Sequence, residues 1–449
     1  MSKTKQLPPQ IPTKEVKGIV NDMLSALVKY PKQYPKIVGF KVWWIRGNIV
    51  HEPEYIKYIL QTNNKNFTKS VKYKVLERIL GNGLVTSEGD FWRKQRRLAQ
   101  PAFHRKGLDR IADIVVKDTE ELFAKWDSDL KKGNETFNFT HGMARLTISI
   151  VSRALFGNIS EEDIESVWDN MAIVNELGAK LIRELVNWPE WIPTSSNRQG
   201  KKAKIALDKV INSFINKRQN NPNTEERNLL AMLMDAIDEE TGEKMSDKQL
   251  RDEIMTIFLA GHETTVVSLS WTLDWLSRHK TVFEKIRQET NEVFGNETPN
   301  LAHCRQLVYT TQVIYESMRL SPPVYLIGRR AMEDDEIDGF FIPKKTNMLL
   351  NIYGLHRHPN HWEAPNEFKP ERFADFEMKG INKFLYFPFG GGPRLCIGHH
   401  FAMMEMQLIV AMFAQRYDFE LLEKPILPDA QITLKPKPTV KVRLWKQNA

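Results

Sequence analysis

Cysteine is almost missing from this chain: 449 residues contain two, Cys304 and Cys396. Two cysteines cannot build the disulfide framework of a small secreted scaffold, and as thiols they fit a reducing compartment. The sequence also lacks any apolar run near the ~18 residues that a membrane-spanning helix needs. Its start, MSKTKQLPPQIP, has no apolar core of the kind a signal peptide carries. These absences predict a cytoplasmic chain with no transmembrane anchor and a flexible lead over residues 1–12. There is no repeat, low-complexity tract or Gly/Ser linker, so residues 1–449 read as a single domain. A strong excess of one charge is missing too. Sixty-four Lys+Arg against 56 Asp+Glu leave +8, interspersed and without a recognised motif, which argues against nucleic-acid binding.

What is present is an ordinary globular composition, 41% hydrophobic and 27% charged, with ample material for a core. FKVWWIRGNIVHEP (residues 40–53) alternates around Gly47-Asn48 and predicts a β-hairpin. Residues 338–359 predict more strand, and TVKVRLWK near the C-terminus a last one. From about residue 87 to 318 the pattern is mainly helical, so the expected class is α+β, mainly α-helical, with small sheets. One helix stands out, starting at a Ser246/Gln249 capping box and running to about Lys280, a rod of ~50 Å. At its middle lies AGHETT (residues 260–265), an acid and two hydroxyls in an otherwise apolar stretch, and such a break points to function.

The second informative stretch is FGGGPRLCIG, residues 389–398. Three glycines in a row weaken any helix or strand and suit a close backbone approach. The residues after Cys396 predict an amphipathic helix, so the sulfur sits just before a helix N-terminus, where the dipole favours a thiolate. Phe389 can shield it from water. The stretch favours a thiolate metal ligand over a catalytic nucleophile, which would need an exposed sulfur and a partner base. A structurally buried cysteine is the plain alternative. The histidines of HRHPNH (His356, His358, His361) with His399 and His400 form a rival zinc set, but Pro359 interrupts it and no second cysteine is near.

FGGGPRLCIG resembles the haem-binding loop of the cytochrome P-450 superfamily, Phe-Gly-x-Gly-x-Arg-x-Cys-x-Gly, with every fixed position filled. ESMR (residues 316–319), PERF (370–373), AGHETT and WRKQRR (92–97) are similar to further motifs of that family, in its order. The resemblance implies a haem-thiolate monooxygenase of the soluble bacterial type without a fused reductase. Haem b would be held by Cys396, with Phe389 and Gly391 in its loop. Trp92, Arg96, Arg394 and Arg329 (or the adjacent Arg330) would bind the propionates. Glu316, Arg319 and Arg372 would form a structural triad. The resemblance places Glu263 and Thr264 at oxygen activation and has Gly261 open a groove for dioxygen.

The implied reaction inserts one atom of O2 into a C–H bond of a small organic substrate, by hydroxylation or oxidative O-dealkylation. Electrons would come from NAD(P)H through a ferredoxin or flavodoxin with its reductase, docking on the charges of RKQRR, with the enzyme a monomer. A peroxide-driven peroxygenase and a haem sensor or electron carrier are the alternatives, and neither needs the Glu263–Thr264 pair. The stretches expected near substrate are residues 70–86, 174–193, 258–264 and 322–327, with Lys72, Tyr73, Asn175 and Glu176 as polar interruptions and WPEWIP (188–193) as either an entry lid or packing under a loop.

Overall fold

The computed structural model describes residues 6–42, 44–103, 107–183, 191–221, 228–374 and 382–447. The chain forms two compact units. One combines Met1–Lys72, Tyr315–Cys396 and Pro428–Lys435; the other combines Tyr73–Ile314, Ile397–Leu427 and Pro436–Ala449. Each is assembled from segments far apart in sequence, so no compositional break marks the boundaries.

The first unit holds a five-stranded sheet in the order Ile37–Val42, Ile45–Val50, Asn347–Asn351, Leu326–Ala331, Phe67–Lys69. Strands one and two pair antiparallel from Ile37 opposite Val50 to Val42 opposite Ile45. The hairpin therefore reverses between Val42 and Ile45, and Gly47 and Asn48, expected in the turn, lie within a strand. Gly47 is there for packing: a Cβ on it would lie 2.3 Å from the Phe40 ring across the ladder. The sheet buries Ile37, Val50, Phe67, Ile327, Met348 and Leu350 in one cluster. The lead is not loose from Gln6 onward. Gly39 N–H donates to Pro9 O and Ile11 N–H to Gly39 O, and Ile11 is buried with Leu27 and Val38, a burial that sequence patterning over so few residues does not reveal.

Helix Val308–Leu320 brings Glu316 and Arg319 to one face, and neither side chain is exposed. Arg319 donates through Nε to Glu316 Oε2 (2.7 Å) and through Nη2 to Oε1 (2.8 Å). Its remaining N–H groups reach the carbonyls of His356, Pro365 and Glu367. Arg372 Nε and the Lys369 amide complete Glu316, at 3.1 and 2.8 Å. His356 passes the constraint on: its Nε2 accepts the Phe387 N–H at 3.2 Å. Burial, with Arg319 and Arg357 nearby, holds its pKa well below the usual histidine value, so the ring stays neutral and able to accept. Tyr386 O–H adds a bond to Tyr315 O.

The second unit is mainly helical. Its central helix is Asp247–Arg278, 32 residues long, with Ser246 and Gln249 closing the capping box as expected. Helix Phe139–Phe156 packs along it. Helix His399–Arg416, expected to be amphipathic, is instead buried almost all round from Phe401 to Ala414. Strands Thr136–Asn138, Lys441–Lys446 and Tyr417–Leu421 form a small antiparallel sheet. Among the described residues no helix is long and apolar enough to cross a membrane.

Glu405 lies inside helix His399–Arg416 with no exposure. Thr265 Oγ1 stands 3.2 Å from Glu405 Oε2 and 3.1 Å from Gly261 O. Thr265 shares its one hydroxyl proton between the two acceptors, Glu405 Oε2 and Gly261 O. Burial raises the Glu405 carboxyl to about 8, with Thr265 pulling the other way.

Two outcomes are expected. Glu316→Ala strands the buried charge of Arg319 and should cost roughly 3–5 kcal/mol in denaturant unfolding; a loss below ~1 kcal/mol would reduce the triad to a surface-type pair. For Glu405, the unfolded chain ionises near 4.5 and the folded protein near 8. Stability is then fully present below the first value and lost as pH rises towards the second, by roughly 4–5 kcal/mol at most. Glu405→Gln should flatten that slope between pH 5 and 8, and an unchanged slope would place its origin elsewhere.

Candidate functional site

The glycines of the cysteine loop serve different physical needs. Gly390 and Gly392 take φ of +74° and +64°, the left-handed region that glycine enters without steric cost. A Cβ on Gly392 would also sit 2.1 Å from Leu60 O, and one on Gly391 would sit 2.5 Å from the Phe384 ring. A short turn at Gly392–Arg394 follows, and Cys396 N–H closes the loop onto Phe389 O at 2.9 Å. Neither cysteine forms a disulfide, and Cys396 is exposed. Around it Phe389 and Ile397 are partly exposed and Leu395 is 37% exposed. A sulfur among uncovered apolar side chains on a braced loop suits a large, flat, apolar ligand. Cys304, by contrast, is buried, and burial pushes its thiol up to about 12.

Arg329 is the second sign of such a ligand. Alternation along Leu326–Ala331 turns it inward to 7% exposure, where Nη1 donates to the Gly328 carbonyl at 3.1 Å. No carboxylate pairs with it among the described residues. A buried cation without a counterion is costly, and a ligand carboxylate would relieve it. Arg330 points the other way, donating to Lys345 O at an exposed site, so Arg329 is the better fit for a haem propionate. Arg394 is half-buried in the cysteine loop. Trp92 is buried and Arg96 half-buried, one turn apart on helix Gly89–Ala99. Within the first unit, Cys396 with Phe389 and Leu395 and the cations Arg329 and Arg394 fit haem: a soft sulfur, apolar neighbours, and charges for acidic arms.

The charges beside Trp92 do not form a free basic face. Lys94 pairs with Glu243, and Arg97 reaches Asp238 and Glu240, each at 2.9 Å. Arg97's hydrogen bond holds the Asp238 carboxyl down to about 2. The donor contact expected at RKQRR therefore meets charges already committed to residues 238–243.

The middle of the central helix carries an accessible strip. Ala260 is exposed and Ile257, Gly261 and Thr264 half-buried, whereas Phe258 is fully buried against Phe156. Thr264 Oγ1 donates to Ala260 O at 2.7 Å, and Glu263 is 6% exposed. A Cβ on Gly261 would lie 3.3 Å from Val151 of helix Phe139–Phe156, so the glycine also permits close helix approach.

Several participants carry no sequence signal of their own. Asp252 Oδ2 accepts from Asn82 N–H and Glu253 Oε2 from Leu84 N–H, at 2.9 and 3.1 Å. This clips the residue 81–84 loop, part of the expected substrate surround, onto the first turns of the central helix. A Cβ on Gly83 would strike Thr256 Oγ1 at 2.2 Å. Glu405 belongs here too, and reads as one polar letter in an apolar helix. Of the expected polar interruptions, Asn175 is buried and Glu176 exposed. In WPEWIP, residues 188–190 lie outside the described residues, and Trp191 is 81% exposed.

A family model described as Cytochrome P450 matches residues 10–443. Similar proteins include cyclooctatin synthase of Streptomyces melanosporofaciens, 31% identical over 81% of this chain and 79% of its own length. Cytokinin hydroxylase of Arabidopsis thaliana is 31% identical over 95% of this chain and 84% of its own. Protein LUTEIN DEFICIENT 5, chloroplastic, also of Arabidopsis thaliana, is 30% identical over 86% of this chain and 67% of its own. Plant and insect proteins stand among the relatives beside the Streptomyces enzyme, so a bacterial type is not singled out. With the cysteine loop, the Glu316–Arg319–Arg372 network and the polar break in the central helix all present, the chain belongs to the cytochrome P450 family.

Proposed function

We propose that Cys396 ligates the haem iron as its thiolate, that Arg329, Arg394, Trp92 and Arg96 hold the propionates, and that Thr264 and Glu263 serve oxygen activation. Family membership makes the protein a haem-thiolate monooxygenase that hydroxylates a small organic substrate with O2 and takes its electrons from redox partners. When bound, the haem supplies the redox-active iron, and thiolate ligation favours O–O cleavage. The observation that carries the residue assignment is the exposed Cys396 among Phe389, Leu395 and Ile397 on a hydrogen-bonded loop.

Each residue then has a physical task. With the haem in place, Phe389 would lie beside the sulfur and help exclude water from it. Arg329, buried without an anionic partner among the described residues, draws in a propionate and orients the group. Thr264 spends its own proton on Ala260 O, so its Oγ presents lone pairs and acts as an acceptor, holding a proton-bearing oxygen species in place. Glu263, next in the chain and buried, supports proton delivery to that position. Ile257 and Ala260 offer an apolar surface, which suits an apolar substrate. A ferredoxin or flavodoxin with its NAD(P)H reductase is the proposed donor, in keeping with the family's use of redox partners. The reading includes a monomer in the cytoplasm, and two cysteines outside any disulfide agree with a reducing compartment.

Cys396→Ser should abolish the far-red-shifted Soret band of the reduced carbon monoxide complex, and a variant that keeps the band would end the ligand assignment. Thr264→Ala should leave that band intact. With donor and substrate present, product per NAD(P)H should fall by roughly tenfold or more while hydrogen peroxide rises, the scale of losing one positioned proton-handling group. An unchanged ratio would remove Thr264 from the mechanism.

A further inference from the structure

We propose that His262 and Thr147 form a positioning pair that sets the rotation of the central helix about its own axis, and so the aim of Thr264. The inference rests on the role given to Thr264 above. Successive helical residues are ~100° apart, which puts Thr264 about 200° and Ala260 about 160° round the helix from His262 in the same sense. His262 thus stands on the reverse of the accessible strip. It is 6% exposed, and its Nδ1 lies 2.8 Å from Thr147 Oγ1 on helix Phe139–Phe156.

Thr147, with no exposure, also reaches Ala144 O at 3.2 Å, and in its contact with His262 the hydroxyl or the ring nitrogen is the donor according to the tautomer. The ring is held from a second direction by Trp168, edge-on at 6.3 Å. One residue earlier, Gly261 lets Val151 of the Thr147 helix approach to 3.3 Å of a would-be Cβ. The Thr265–Glu405 contact ties the helix at a different azimuth to a different neighbour, helix His399–Arg416. Two side-chain ties at different azimuths, to two helices, leave the segment no free rotation.

The segment needs external ties. Thr264, Thr265, Ser268 and Thr272 each donate to the carbonyl four residues back, a pattern that bends and loosens helices. With that softened ladder, the angle at which Thr264 faces its strip is decided by what grips the reverse side, and that grip is His262 on Thr147.

Thr147→Val removes the hydroxyl at nearly constant volume, and Thr147→Ser restores it. In haem-loaded ferric protein, Thr147→Val should speed amide exchange across residues 259–267 at least about fivefold, as local opening becomes easier. In dithionite-reduced protein mixed with oxygen, it should speed return of the ferric spectrum and raise peroxide released per haem at least about threefold, as expected of a displaced positioning group. Thr147→Ser should stay within about twofold of the parent in both, with the carbon monoxide spectrum unchanged throughout. Equal behaviour of Val and Ser variants, or no change in either readout, overturns the pair. If Thr147→Val fails to take up haem, the same comparison is made with His262→Asn, which keeps a hydrogen-bonding group near Nδ1, against His262→Leu, and the same criteria apply. Thr264→Ala is run in parallel. If it speeds reoxidation while Thr147→Val does not, the pair is wrong and the reading of Thr264 stands. If Thr264→Ala changes nothing, that reading fails and amide exchange alone decides whether the pair sets the helix.

Discussion

The guanidinium of Arg319 has no contact with solvent, and everything around the cysteine loop follows from keeping it satisfied. Glu316 takes two of its N–H groups, and the carbonyls of His356, Pro365 and Glu367 take others. A charge this deeply buried tolerates one arrangement of partners, because each missing bond restores part of a large desolvation penalty. Segments on either side of residues 356–372 are thereby pinned to the end of one helix. His356 then relays the constraint, its backbone oxygen serving Arg319 and its ring serving Phe387, three residues before the first glycine of the loop. An open sulfur on a loop would wander without this bracing. The triad does no chemistry, yet it decides where the chemistry can be.

The central helix poses the opposite problem. Its ends are ordinary, with a capping box at Ser246 and buried apolar turns, but its middle must be polar, accessible on one side and still fixed. Hydroxyls bonded back to the preceding turn weaken the ladder, and small residues remove the side chains that would otherwise wedge it. Compensation comes from the flanks, through His262 on Thr147 and Thr265 on Glu405. Glu405 can sit in an apolar helix because burial raises its carboxyl to about 8, which leaves it mostly uncharged at neutral pH.

Charge at the surface is managed by pairing. Lys94 and Arg97 are committed to the 238–243 segment, which binds helix Gly89–Ala99 to a distant loop and places Trp92 and Arg96 on a supported element. A run of like charges in a sequence says nothing about which acids will fold against it, and here the acids lie about 140 residues away.

The family, the glycine-rich cysteine loop, the length and cap of the central helix and the Glu316–Arg319–Arg372 set were all legible in the sequence. Their signals are local: fixed residues at fixed spacings, a capping box, a helical period. Gly47-Asn48 misled because a turn dipeptide and a glycine making room for a cross-strand Phe40 look alike in one dimension. The same holds for residues 6–12, whose pairing depends on a strand they do not adjoin. The choice between Arg329 and Arg330 needed the pleat of a strand, since only one of two neighbours can face inward. His262, Thr147, Asp252 and Glu405 carry no motif meaning at all. Their roles come from partners 115 to 170 residues away, and a contact between distant segments leaves no periodicity for a sequence to show. The local code settled which chemistry the chain carries, and tertiary packing alone decided which side chains hold it in place.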